Sequence, residues 1–131
     1  MVQRQESGNI NEFVATVTNV TFETDAFRGT RQYHLHLAPK DIKVTGPSGE
    51  FHEWIPLSAK ASEDSIPAGS VLDRYLQMVE AQVPGADKAK TVKDAFLLMK
   101  GRTFKFKKMK LGRDFEGNKA KEYSTPVALV Q

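Results

Sequence analysis

The chain has 131 residues, 40% of them hydrophobic and 27% charged, which is typical of one globular domain with its own core. It contains no cysteine, which excludes disulfides, thiolate metal sites and thiol nucleophiles. Because the first residues carry no apolar leader and no segment is long and apolar enough to span a bilayer, we expect an intracellular, cytoplasmic protein without membrane contact.

Residues 1–11 are polar and predict a flexible N-terminal segment, whereas residues 12–131 predict a single domain. Three strands are predicted first in this domain, at residues 13–22, 31–37 and 50–57. These runs are rich in β-branched residues or alternate between apolar and polar side chains, which is the pattern of a strand with one buried face.

The alternation assigns each side chain of the second and third strands to a face. The buried face is predicted to carry Tyr33, Leu35, Leu37, Phe51, Ile55 and Leu57. The exposed face is predicted to carry His34, His36, His52 and Trp54. Residues 23–30, between the first two strands, contain Asp25 and Gly29 and are predicted to form a loop.

Two helices are predicted after the third strand, where the apolar period changes from two to about 3.6. Ser70 and Thr91 are each followed by an aspartate three residues later, a pattern that resembles a capping box at a helix N-terminus. Pro84 and Gly101 are expected to end the two helices.

Two further strands are predicted in the last third of the chain, one beginning at Arg102 and one over residues 123–130. The apolar residues of the first of these change from even to odd positions, which predicts a β-bulge near Lys107 and Lys108. Pro126 has no backbone N–H to donate, so it indicates an edge strand.

Three strands, one or two helices and then two strands predict an all-β domain with inserted helices. This element order resembles the OB-fold, a five-stranded Greek-key barrel, with the helices between strands 3 and 4. Over about residues 12–130 the chain resembles the single-stranded DNA-binding proteins built on that fold, particularly the single-domain forms of phages and archaea. The resemblance implies a non-enzymatic role in replication, recombination or repair, in the cytoplasm, a nucleoid or a viral replication complex.

A basic segment supports an anionic partner independently of the resemblance. Residues 100–123 contain nine lysines and arginines and three acids, a net charge of +6, although the whole chain has only +3. Phenylalanines and other apolar residues alternate with the lysines, so one face of this segment can be buried while the other presents ammonium groups.

In OB-folds the ligand lies across strands 2 and 3, between the loop that joins strands 1 and 2 and the loop that joins strands 4 and 5. The exposed rings of His34, His36, His52 and Trp54 are suited to stacking on unpaired bases. Cations and further aromatic rings are expected to flank them: Phe27, Arg28, Arg31, Lys105, Lys107, Arg113, Phe115, Lys119 and Lys121. We therefore expect binding of single-stranded DNA with little sequence preference, with RNA binding and homo-oligomer formation left open.

Alternative functions follow from the same residues. An exposed aromatic face also suits a protein-interaction or assembly module, since Trp and Arg are enriched at such interfaces. Three histidines with an open position could form a zinc enzyme, but the sequence does not fix the register that would bring His52 to His34 and His36. No metal site, cofactor or catalytic residue is expected, and acids such as Glu63 are expected to be solvated. A register slip of one residue would instead bury Trp54.

Overall fold

The computed structural model describes residues 12–24, 29–40, 50–57, 61–112 and 121–130. The predicted N-terminal segment, residues 1–11, lies outside this part of the chain. The described residues form one antiparallel sheet of five strands with the order β3-β2-β1-β4-β5. The strands are β1 (Glu12–Thr24), β2 (Arg31–Pro39), β3 (Phe51–Pro56), β4 (Thr103–Lys110) and β5 (Glu122–Leu129).

The helices lie between β3 and β4 in the sequence, as predicted, and are α1 (Val71–Gln82), a 3-10 turn (Ala86–Lys88) and α2 (Val92–Leu97). Both predicted N-caps are confirmed, because the hydroxyl groups of Ser70 and Thr91 each accept a hydrogen bond of 3.1 Å from the backbone N–H three residues later. None of the helices in the described part of the chain is long and apolar enough to cross a membrane.

Strand β1 is longer than predicted and carries a bulge. It continues to Thr24, so the prediction that a loop begins at Glu23 was wrong. In its pairing with β2, Val17 faces Leu37 and Asn19 faces His36, which leaves Thr18 as the extra residue. A bulge bends and twists a strand. One end of β1 pairs with β4 and a longer part of it pairs with β2.

The bulge predicted in β4 near Lys107 and Lys108 is wrong. Both lysines pair one-to-one with β5, and the register shifts instead between Lys105 and Phe106. The extra residue is Val127, on β5 next to Pro126. Because proline cannot donate to a ladder, an irregularity beside it on an edge strand disturbs the pairing least.

The expected closure of the sheet into a barrel is not formed by the described residues, since β3 and β5 are the two edges and no ladder joins them. A side chain connects the two edge strands instead: Glu53 of β3 accepts a hydrogen bond of 3.0 Å from the backbone N–H of Ser124 in β5. Helix α1 packs against both edge strands, and the hydroxyl of its buried Tyr75 donates to the carbonyl oxygen of Ser124 at 2.8 Å.

The core lies between the sheet and the helices and is largely aromatic. Phe96 of α2 stacks on Tyr33 of β2 with ring centroids 4.7 Å apart, and Tyr75 of α1 stacks on the same phenylalanine at 5.8 Å. All three side chains are fully buried. The apolar face predicted for β2 is confirmed, because Tyr33, Leu35 and Leu37 lie in this core.

Candidate functional site

Four flat rings lie together on the outer face of β2 and β3. Their positions follow from the strand register, in which His34 faces Trp54 and His36 faces His52. Side chains directly opposite each other in an antiparallel pair lie on the same face. The neighbouring residues Leu35 and Ile55 point inward and are fully buried. We call the four residues His34, His36, His52 and Trp54 the ring cluster.

The structure places Trp54 outside the core, so the alternative in which a register slip buries it is wrong. The side chain is 38% exposed. Its indole stacks on the His34 ring with centroids 4.7 Å apart and an angle of 23° between the planes. The His34 ring also stacks on His36, at 4.0 Å. The cluster is therefore a continuous aromatic surface rather than four separate side chains.

A carboxylate that the sequence analysis missed holds two of these rings in place. Glu23 Oε2 lies 3.0 Å from His34 Nδ1, and its Oε1 accepts a hydrogen bond of 3.3 Å from Trp54 Nε1. The hydrogen bond with His34 lowers the pKa of Glu23 below its usual value, although partial burial opposes this shift. Thr21 and Glu23 continue the alternation of β1, and this signal could have placed Glu23 on a strand.

A second carboxylate lies at the other end of the cluster. Glu50 Oε1 is 3.7 Å from His36 Nδ1, and its Oε2 accepts a hydrogen bond of 2.5 Å from the hydroxyl of Thr18. Thr18 is the bulge residue of β1, and its hydroxyl is also 3.3 Å from the carbonyl oxygen of His36. The bulge thus brings the polar side chain of Thr18 to the histidines, whereas a regular strand would have paired Thr18 with a residue of β2.

Lys105 and Lys107 extend the same sheet face away from the ring cluster. Lys105 faces Val14 and Lys107 faces Glu12 across the β1–β4 ladder, and both lysines are exposed. Val14 precedes Asn19, the partner of His36, by five residues of β1, which is about 16 Å of extended chain. Lys105 also forms an exposed ion pair of 3.5 Å with Glu12. The outer face therefore has an aromatic end and a basic end.

Two further cations of the predicted binding surface are described by the structure, and both lie apart from the ring cluster. Arg31 has the same strand parity as the buried Tyr33 and donates to the carbonyl oxygen of Ala61 at 2.8 Å. Lys121 lies beside the gap between β3 and β5, with its ammonium group 3.9 Å from Glu53 and 5.0 Å from the centroid of the Tyr123 ring. The remaining predicted residues are outside the described part of the chain: Phe27, Arg28, Arg113, Phe115 and Lys119.

Two other acids have structural partners. Glu63, which we expected to be solvated, accepts a hydrogen bond of 2.5 Å from the Tyr33 hydroxyl and one of 2.8 Å from the backbone N–H of Lys93. That expectation was wrong, and Glu63 instead connects β2 to the first turn of α2. Glu53 is buried between β3 and β5, and burial raises the pKa of its carboxyl.

Comparison with known proteins adds no functional assignment. No model of a protein family matches the chain, and no curated protein matches it.

Proposed function

We propose that this protein is an OB-type domain that binds single-stranded DNA through the outer face of β2 and β3. Support for the fold comes from the strand order and from the helices inserted between β3 and β4. OB-folds are partly open five-stranded barrels, and their ligands lie on strands 2 and 3. The gap between β3 and β5, bridged by Glu53, is compatible with that description.

The observation that carries the functional proposal is the ring cluster. Base stacking requires exposed flat rings, and Trp54 and His52 provide two of them, packed against the more buried rings of His34 and His36 on the same sheet face. One side of the indole lies against His34, so a base stacks on the remaining accessible surface of Trp54. Stacking does not depend on base identity, which is the reason for expecting little sequence preference.

The basic end of the same face supplies the second component, phosphate binding. A DNA strand with one base stacked on Trp54 can extend along the sheet toward Lys105 and Lys107, whose side chains are exposed. Lysines in such positions bind the backbone of any sequence by releasing condensed counterions. A duplex of the same length binds less well, because its bases are already stacked and paired.

Trp54 fluorescence tests the proposal directly, because this is the only tryptophan of the chain. Titration with oligo-dT should quench the emission saturably, since a base stacks on the indole. Titration with oligo-U then compares DNA with RNA. Unchanged emission at an oligonucleotide concentration that saturates binding would show that Trp54 is not in the interface.

Variants complete this test with a labelled oligonucleotide. Trp54→Ala should cost about 1–3 kcal/mol of binding free energy through the loss of one stacked base. Leu97→Ala is the matched control, because Leu97 is an apolar residue of similar exposure, 41%, at the end of α2. Equal losses of affinity in the two variants would contradict a specific role of Trp54.

One observation favours a second function, a protein-interaction module on the same face. Glu23 and Glu50 lie among the histidines, and carboxylates repel phosphate groups. A protein partner could instead use the rings as an apolar anchor and the carboxylates as acceptors. Sedimentation of the pure protein tests whether the partner is a second copy of the chain. If it is, Trp54→Ala should lower the molecular mass of the sedimenting species to that of the monomer.

A further inference from the structure

The three histidines of the ring cluster are all the histidines that the chain contains. Two lie two residues apart on β2, and the register places His52 of β3 opposite His36. One nitrogen from each ring can be chosen so that the three atoms all lie within 4.8 Å of one another. From this arrangement we infer that His34, His36 and His52 bind one divalent transition-metal ion of the Zn²⁺ class.

The distance between two of the candidate ligand atoms is close to that in a metal site. Imidazole nitrogens bind Zn²⁺ at about 2.0–2.1 Å, so ligand atoms in a tetrahedral site are about 3.3 Å apart. His34 Nε2 and His52 Nδ1 are 2.8 Å apart, where they share a hydrogen bond. An ion needs these two nitrogens to separate by about half an ångström. Rotation of the exposed His52 side chain provides this movement.

The carboxylates beside the cluster prepare the rings for this role. His34 Nδ1 is hydrogen-bonded to Glu23, which requires a proton on that nitrogen and leaves the lone pair of Nε2 directed at His52. Glu50 lies near the Nδ1 atom of His36 and favours the same tautomer there. Carboxylate–histidine pairs of this kind orient metal ligands and fix their tautomer.

The donor set determines which ions the site selects. Three neutral imidazoles suit Zn²⁺, Cu²⁺, Ni²⁺ and Co²⁺, whereas Mg²⁺ and Ca²⁺ prefer oxygen ligands. Three protein ligands leave a fourth tetrahedral position, and the exposure of His52 makes it accessible from solvent. The inference goes beyond the proposed function, because it concerns the protein alone and requires no nucleic acid.

Calorimetric titration of the full chain, without an affinity tag, with ZnCl₂ and MgCl₂ tests the inference. We expect one Zn²⁺ per chain and no Mg²⁺ binding. Co²⁺ should give the intense visible absorption of a four-coordinate ion, and Cu²⁺ should quench Trp54, whose ring centroid is 4.7 Å from that of His34. Absence of stoichiometric Zn²⁺ binding to the unaltered protein would overturn the inference.

Variants then assign the ligands. His52→Ala and His36→Ala should each weaken Zn²⁺ binding by more than tenfold, and Glu23→Gln should weaken it by about 10–100-fold through its effect on His34. Asp64→Asn is the control, since this exposed acid lies on the helical side and hydrogen-bonds Ser62. Equal Zn²⁺ affinity in the histidine variants and the control would overturn the inference.

Imidazole NMR signals of the unaltered protein provide a readout that does not depend on how the variants fold. All three histidines should shift together at one equivalent of Zn²⁺, and a shift of only one or two of them contradicts the three-histidine site. Oligo-dT binding measured with a chelator present tests the proposed function separately, so that failure of one proposal leaves the other to be judged on its own result.

Discussion

At the scale of single residues, Glu23 affects both proposed ligands. Its carboxylate should favour binding of a metal ion and oppose binding of a nucleic acid. Its carboxylate fixes His34 and Trp54, yet it also places a negative charge beside the surface that should receive a nucleic acid. Glutamine keeps an oxygen that can accept from the indole, but it removes the charge. The substitution Glu23→Gln therefore separates orientation of the rings from electrostatic repulsion.

We expect Glu23→Gln to strengthen binding of oligo-dT while it weakens binding of Zn²⁺. Removing one partly exposed negative charge beside the surface that receives the nucleic acid should be worth about 0.2–1 kcal/mol, and the gain should shrink as salt screens the interaction. Fluorescence anisotropy at two salt concentrations measures this effect. Weaker DNA binding at both concentrations would mean that orientation of Trp54 by Glu23 matters more than repulsion.

Glu53 gives a prediction about the pH dependence of stability. Burial raises the pKa of its carboxyl above the value of 4.5, while the backbone N–H of Ser124 and the charge of Lys121 oppose the shift. The folded state therefore holds this proton more tightly than the unfolded state does. The resulting stabilisation is complete below about pH 4.5 and is lost as the pH rises through the folded-state pKa.

Urea denaturation at several pH values checks this consequence. Relative to Glu53→Gln, the unaltered protein should lose free energy of unfolding as the pH rises above about 4.5, by about 1.4 kcal/mol for each unit of pKa difference. Glu122→Gln, on the exposed side of the same β3–β5 region, should keep the profile of the unaltered protein. A constant difference between Glu53→Gln and the unaltered protein at all pH values would contradict the role of this proton.

At the scale of secondary-structure elements, α1 depends on its N-terminal cap. Ser70 accepts from the backbone N–H of Asp73, and Asp73 in turn accepts a hydrogen bond of 2.7 Å from the backbone N–H of Gly69. Ser70→Ala should lower the free energy of unfolding by about 0.5–2 kcal/mol, whereas Ser70→Asp should retain most of it because aspartate also caps well. Thermal or urea unfolding measures both variants. Equal losses in the two variants would show that the acceptor at position 70 is not what stabilises the helix.

The elements that could be predicted from the sequence are those with a clear apolar period or a capping signature. Alternation assigned His34 and Trp54 to the exposed face, and the structure agrees because a strand has only two faces. The extent of β1 and the position of the irregularity beside β4 could not be predicted in the same way. Thr18 and Val127 are extra residues only relative to a neighbouring strand, so the pairing partner must be known before a bulge can be located.

The site was predicted less completely than the elements. The four rings follow from parity within two strands, whereas their contacts with Glu23 and Glu50 depend on pairing between strands. Arg31 shows the limit of charge as a signal, since it was expected beside the rings and instead donates to the carbonyl oxygen of Ala61. A cation in the sequence indicates that an anion can be bound, but not on which face.

At the scale of the whole molecule, the contact between β3 and β5 determines how the edges of the sheet are held. The buried hydroxyl of Tyr75 donates to the carbonyl oxygen of Ser124, and Glu53 accepts from the N–H of the same residue. A helix and a side chain therefore satisfy backbone groups at an edge that a ladder would otherwise satisfy.

Tyr75→Phe should lower the free energy of unfolding by about 1–3 kcal/mol, because it leaves a buried carbonyl group without its donor. Compared with the unaltered protein, the variant should show a larger increase in hydrogen-exchange rate in β5 than in β2, because the lost hydrogen bond joins the helix to β5. Tyr123→Phe is the control, as its side chain shares the same region and is less deeply buried. Uniformly faster exchange in all strands would indicate that the contact stabilises the whole fold rather than this edge.

The distribution of charge over the molecule determines how binding of a single strand should depend on salt. Lys107 lies on the outer sheet face, whereas Lys88 is also exposed but lies in the 3-10 turn on the helical side. If Lys107 contacts one phosphate, Lys107→Ala should make the slope of log affinity against log salt shallower by about 0.7, as expected for a single strand. Lys88→Ala removes the same net charge from the protein and should leave the slope unchanged. Trp54→Ala should lower the affinity at every salt concentration with little change in slope, because stacking releases no counterions. A shallower slope in both lysine variants would mean that the net charge of the whole protein attracts the nucleic acid. The outer face of the sheet would then have no special part in binding phosphate.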